Sequence, residues 1–65
     1  MPDTTLEVLS GLVRNENKVI EEFKQCYNRA REPMFKSKLQ TMIADHMNHR
    51  SELRMLIEDE RKGEN

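Results

Sequence analysis

The sequence predicts an all-α protein, a single helical hairpin in which a short turn joins two antiparallel helices. Apolar residues recur at helical spacing through most of the 65 residues, and one Glu-Pro pair interrupts them near the middle. No alternating apolar–polar run typical of a strand is present. We therefore predict one domain over residues 1–65, with helix 1 over about 4–30, a turn at 31–33, helix 2 over about 34–61 and a frayed tail at 62–65.

The first helix is predicted from a start signal and a heptad pattern. Thr4 and Glu7 fit a capping box, in which each side chain accepts a backbone N–H at the helix start. Two complementary series with seven-residue spacing follow: Leu6, Val13, Ile20 and Tyr27, and Leu9, Phe23 and Ala30. A flanking series widens the apolar stripe, as is typical of a helical bundle: Leu12, Val19 and Cys26. Gly11 is a weak point inside this helix.

The Glu32-Pro33 pair predicts the turn and the start of the second helix. A residue before Pro is disfavoured in the helical region, whereas Pro itself suits the first turn of a helix. The second helix has its own seam at heptad spacing: Phe35, Leu39, Met42, His46, His49, Leu53 and Leu56, widened by Ile43 and Ile57. Lys62-Gly63 is its stop signal.

The composition indicates a domain that needs support beyond its own core. Hydrophobic residues make up 35% of the chain, below the usual share of about 45–50%. Chains shorter than about 70–80 residues rarely build a sufficient core alone. Because one hairpin covers only half of its two stripes, we expect two copies to form a homodimeric four-helix bundle. The predicted core and dimer seam consists of Leu6, Leu9, Val13, Ile20, Phe23, Tyr27, Phe35, Leu39, Met42, Leu53 and Leu56.

The composition also argues against several functions. The chain has no apolar run of about 18 residues and no signal-peptide pattern at its start, so we expect a cytoplasmic protein without a membrane partner. A single Cys cannot build a disulfide framework. There is no Gly-rich phosphate loop and no arguable Ser–His–acid triad. The sequence therefore assigns no catalytic residue and favours a non-enzyme.

Three polar residues interrupt the apolar seams. Counted from Glu32, Glu16 lies 16 residues before it, and His46 and His49 lie 14 and 17 residues after it. All three then stand roughly 21–26 Å from the turn, in one layer of the bundle. Imidazole and carboxylate suit Fe, Mn, Zn or Ni, and a spacing of three residues puts both histidines on one helix face. We therefore predict a metal site, with Glu22 or Asp45 as outer partners.

A purely structural interpretation of the same residues stays open. A buried Glu–His pair can form a hydrogen-bonded polar layer that fixes the register and the oligomeric state of a bundle. The spacing of the three residues fits both interpretations.

Over about residues 6–57, the chain resembles half of a ferritin-like, rubrerythrin-type bundle. That family has a metal-binding Glu seven residues before an aromatic, as with Glu16 and Phe23 here. Its next helix has Glu-x-x-His followed by Glu-Leu, and the matching stretch here runs from His46 to His49, followed by Glu52-Leu53. The segment from Glu32 to Lys36 resembles the inter-helix turn of small bacterial ferritin-like domains.

The resemblance implies a four-helix bundle that holds a transition metal (Fe, Mn or Zn) through Glu16, His46 and His49. This chain departs from the family pattern at position 46, where His replaces the Glu of the motif. An imidazole at His46 can bind a metal but cannot bridge two metals as a carboxylate does.

Two further functions fit parts of the sequence. Four methionines could give helix 2 an adaptable surface, as in a small regulatory or adaptor protein that binds a larger protein: Met34, Met42, Met47 and Met55. A basic strip on helix 1 is similar to that of Rop-type RNA-binding hairpins: Arg14, Lys18 and Lys24. Acidic residues interrupt this strip and the net charge is −1, so the sequence does not favour a nucleic-acid partner.

Overall fold

The computed structural model describes residues 4–63 and consists of two helices packed against each other. Helix α1 spans Thr4–Arg29 and helix α2 spans Pro33–Gly63. Tyr27 meets Lys36 near the turn and Asn17 meets Arg50 further away, so the helices are antiparallel. The hairpin measures 50 × 16 × 10 Å. The predicted all-helical hairpin is confirmed, and neither of its helices has an apolar stretch long enough to cross a membrane.

The helix bounds differ from the predicted ones by no more than two residues. Helix α1 ends at Arg29, and α2 begins at Pro33 and continues to Gly63. Gly63 has no positive φ, so it does not form a left-handed cap. The basic side chains of Arg61 and Lys62 suit the negative end of the helix dipole, which favours the extra residues. Residues 64–65 of the predicted tail lie outside the described residues.

Glu32 caps the start of α2 with its side chain. Its carboxylate accepts the backbone N–H of Met34 at 3.1 Å and that of Phe35 at 2.7 Å. Its carbonyl accepts the N–H of Lys36 at 3.0 Å, which begins the helical ladder. Pro33 has no N–H, so the first helical position needs no partner. The Glu-Pro pair therefore fixes both the end of the turn and the beginning of α2.

Helix α1 presents its predicted seam to α2. Ile20 is 2% exposed, and the other members of that seam are half-buried: Leu6, Leu9, Val13, Phe23 and Tyr27. Helix α2 presents Leu39, which is 6% exposed, together with half-buried His46 and Leu53. These residues form the contact between the helices.

The rest of the predicted α2 seam is exposed in the single hairpin. Phe35, Met42 and Leu56 are 49%, 46% and 52% exposed, and His49 is exposed as well. The four residues that directly follow them are half-buried: Lys36, Ile43, Arg50 and Ile57. Polar residues are accommodated there because their ends find partners on α1. The Lys36 ammonium lies 4.7 Å from the centre of the Tyr27 ring, and Arg50 donates to Asn17 at 2.8 Å.

Candidate metal centre

Glu16, His46 and His49 meet near the middle of the hairpin. The midpoints of Thr4–Arg29 and Pro33–Gly63 fall about at residues 16 and 48. Glu16 and His46 occupy seam positions on facing helices, and His49 lies one helical turn beyond His46 at the edge of the seam. The antiparallel pairing therefore brings the three predicted ligands to one level.

The donor atoms of these residues converge on Glu16. The distance from His46 Nδ1 to Glu16 Oε2 is 2.7 Å, and that from His49 Nδ1 to Glu16 Oε1 is 3.9 Å. One ligand atom from each residue lies within 4.8 Å of the others. The short contact is a hydrogen bond, in which the imidazole N–H donates because an ionised carboxylate can only accept. Each Glu16 oxygen thus faces a different imidazole.

The centre is closed on one side and open on the other. The side chains of Glu16 and His46 are 20% and 29% exposed, whereas that of His49 is 58% exposed. The Phe23 ring covers His46, with the two ring centres 5.3 Å apart and the planes tilted by 32°. The two imidazoles are nearly perpendicular, at 86°, with centres 5.7 Å apart. Solvent therefore reaches the centre from the side of His49.

A groove opens onto the centre on that side. This mid-hairpin groove is lined by Leu12, Glu16, His49, Glu52, Leu53 and Leu56. A second carboxylate, Glu52, lines this groove beside Glu16 and His49, although Glu52 is not part of the group within 4.8 Å. The sequence reasoning did not assign Glu52 as a ligand. The available signal was its position three residues after His49, which places both on one helix face.

The two suggested outer partners are not brought to the imidazoles. Within residues 4–63, neither Glu22 nor Asp45 makes a hydrogen bond or ion pair with His46 or His49. Asp45 is exposed and adjacent to His46, and consecutive residues on a helix do not face each other. Glu22 instead lines a separate groove nearer the turn, with Val19, Phe23, Cys26 and Leu39.

The donor set fits a transition metal. Zinc binds imidazole nitrogen at about 2.0–2.1 Å and carboxylate oxygen at about 2.0–2.2 Å, so ligand atoms in a tetrahedral site lie about 3.3 Å apart. The distances of 2.7 and 3.9 Å to Glu16 lie on either side of that value. All three pairs of donors lie within 4.8 Å, so the side chains would have to move closer together to bind one ion. Such a site would leave a fourth position for water or another ligand.

No family model, no curated protein and no solved structure matches this chain. The resemblance to ferritin-like domains therefore stays a prediction that depends on the short motifs quoted above.

Proposed function

We propose that this chain is a small metal-binding helical hairpin that pairs with a second copy as a four-helix bundle. Glu16, His46 and His49 would hold one transition-metal ion per chain at mid-length. The observation that carries the proposal is the convergence of one carboxylate and two imidazoles, from two helices, within 4.8 Å. Nitrogen and oxygen donors of this kind suit Zn, Fe or Mn.

His49 favours a metal centre over a purely structural polar layer. A hydrogen-bonded layer is already complete with the pair of Glu16 and His46, at 2.7 Å. The His49 side chain makes no hydrogen bond to another residue in the range 4–63. Its Nδ1 nevertheless faces the second oxygen of Glu16 at 3.9 Å, which is too long for a hydrogen bond. An ion between these atoms would explain why the second imidazole is directed there.

The small number of hydrophobic side chains that a single hairpin buries supports the dimer. Within residues 4–63, the buried hydrophobic side chains are Ile20 and Leu39, and large apolar side chains on both helices stay exposed. A core of this size is small even for a short chain. Pairing two hairpins covers these exposed side chains, which is the usual solution for amphipathic helices.

The experiment that tests the metal proposal is calorimetric titration of untagged protein with Zn²⁺, because an affinity tag would itself bind metal. We expect one ion per chain. His46→Ala and His49→Ala should each weaken binding by more than about a hundredfold, the range reported for outer partners alone being about 10–100-fold. Asp45→Asn is the matched control, since it removes an exposed charge beside His46, and it should bind as wild type does. Undiminished binding by both histidine variants would refute the proposal.

A further inference from the structure

The hairpin has one side on which apolar residues of both helices are left uncovered. We define this apolar face by two lines. The line on α1 has seven-residue spacing and consists of Leu12, half-buried Val19 and Cys26. The line on α2 consists of Phe35, Met42 and Leu56, with His49 between the last two. The mid-hairpin groove joins Leu12 to Leu56, and the groove near the turn joins Val19 and Cys26 to Leu39. Both lines therefore lie on the same side of the helix–helix contact.

The opposite edge of the hairpin is polar. By the same helical periodicity it carries half-buried Met47 together with uncharged polar and basic side chains: Ser10, Asn17, Lys24, Gln40 and Arg54. Arg50 donates to Asn17 along this edge. A partner that covers apolar surface therefore has one favourable approach.

The dimensions of the apolar face fit a second copy of this chain. The apolar face runs about 32 Å along the hairpin, because Phe35 and Leu56 lie 21 residues apart on α2. A partner that covers this face must supply two parallel apolar lines that match the two lines of the face in length. A second hairpin does so, and a two-fold axis places the same lines opposite each other.

The proposed metal centre opens onto this same face. His49 occupies the series of Phe35, Met42 and Leu56, and the mid-hairpin groove is lined by both Glu16 and His49 as well as by three leucines. A second copy docked here would cover the open side of the centre. Because the centre lies near the midpoint of both helices, either two-fold arrangement, with turns at the same end or at opposite ends, places the two centres at the same level.

The charges around the metal centre determine whether a bound ion would favour or oppose docking of a second copy. Docking would remove Glu16 and Glu52 from water in both copies, at one level of the bundle. Burying a carboxylate is costly unless its oxygens are paired. His46 pairs with one oxygen of Glu16, which leaves the other oxygen and the Glu52 carboxylate without a hydrogen bond among residues 4–63. One divalent cation per chain would balance the two negative charges.

Resting on the proposed function, we infer that metal binding and dimerisation through the apolar face are thermodynamically linked. The ion favours the dimer, and the dimer favours the ion by the same factor.

The test is sedimentation equilibrium of the untagged chain over a range of concentrations, in EDTA and in saturating Zn²⁺. The dimer dissociation constant should fall at least tenfold with Zn²⁺. Phe35→Glu is the decisive variant because it lies on the apolar face, 14 residues before His49, or about 21 Å along the helix. It should be monomeric and should also bind Zn²⁺ at least tenfold more weakly. Gln40→Glu, the same charge on the polar edge, should behave as wild type.

The outcomes separate this inference from the proposed function. If Zn²⁺ binds at one ion per chain but the dimer constant does not change, the linkage is refuted and the metal centre stands. If Zn²⁺ does not bind, the proposed function fails and the linkage fails with it. A chain that stays monomeric with Zn²⁺ at high concentration also overturns the inference, and leaves the apolar face to a different protein. Circular dichroism verifies that each variant keeps its helices.

Discussion

The contact between Glu16 and His46 is the residue-level feature on which the functional account depends. His46 Nδ1 and Glu16 Oε2 lie 2.7 Å apart, and the proposed ion would bind between the same two atoms. Metal and proton therefore compete for the same imidazole nitrogen. The same competition applies to His49, whose Nδ1 faces the other carboxylate oxygen.

This competition predicts a pH dependence. Zn²⁺ binding must release protons, so the affinity should fall as the pH falls. We expect the affinity to be lower at acidic than at neutral pH, because protons and Zn²⁺ compete for the ligand atoms. Calorimetry in two buffers of different ionisation enthalpy measures both the affinity and the number of protons released. An affinity that is the same at both pH values would exclude the two histidines as ligands.

The same pair should cost stability when no metal is bound. Glu16 and His46 occupy seam positions that elsewhere hold apolar side chains. Replacing both by leucine should raise the unfolding free energy of the metal-free protein by on the order of 1 kcal/mol, since buried polar pairs are often less stabilising than apolar contacts. Urea denaturation in EDTA, at one fixed protein concentration, measures this change. A less stable Glu16→Leu/His46→Leu variant would mean that the polar layer itself stabilises the fold.

At the scale of the elements, the start of α2 depends on one side chain. The Glu32 carboxylate accepts two of the N–H groups that the first turn cannot pair internally. Glu32→Ala should therefore lower the unfolding free energy by about 1 kcal/mol, the usual cost of losing an N-cap. Glu32→Asp should retain most of the stability, because Asp is a preferred capping residue. Thermal unfolding followed by circular dichroism compares the three proteins, and equal stability of the alanine variant would contradict the capping role.

Helix α1 contains a replaceable glycine. Gly11 lies inside Thr4–Arg29 without a positive φ, so its conformational freedom is not used. A methyl group there would meet only the flexible end of Arg14, at an ordinary contact distance of 3.7 Å. Gly11→Ala should raise the unfolding free energy by about 0.5–1 kcal/mol. A loss of stability, measured by urea denaturation, would show that another chain packs closely against this position.

The two helices differ in how well their contact faces could be predicted from the sequence. The seam of α1 could be predicted because one face of that helix is plainly apolar. The face of α2 could not be fixed, because its stripe is wide enough for two neighbouring lines. Lys36 and Arg50 decide between the lines through Tyr27 and Asn17 on the other helix. Hydrophobic periodicity within one helix contains no information about such partners.

The candidate site could also be predicted only in part from the sequence. The number of residues from the turn predicts that Glu16, His46 and His49 lie at one level of the hairpin, because both helices rise by the same distance per residue. The cover provided by the Phe23 ring and the position of Glu52 in the groove depend on helix rotation and side-chain direction. Residue spacing alone does not determine these details.

At the scale of the whole molecule, both proposals depend on which apolar surface the hairpin leaves uncovered. The described hairpin is 50 Å long and only two helices wide, and it leaves one apolar and one polar edge. The proposed ion would join the two helices at their middle, where the seam is polar. A second copy would cover the apolar face and the open side of the same centre. The ion and the second copy would therefore both stabilise a hairpin whose own core is too small.

The most direct test of the metal centre is a long-range ¹H–¹⁵N NMR titration of untagged, ¹⁵N-labelled protein with Zn²⁺. The chain has two histidines, so four ring nitrogens report on the centre without ambiguity. We predict that Nδ1 of both His46 and His49 shifts to the metal-bound range and that the change is complete at one ion per chain. If neither Nδ1 shifts, or if only one imidazole responds, the three-residue metal centre is wrong.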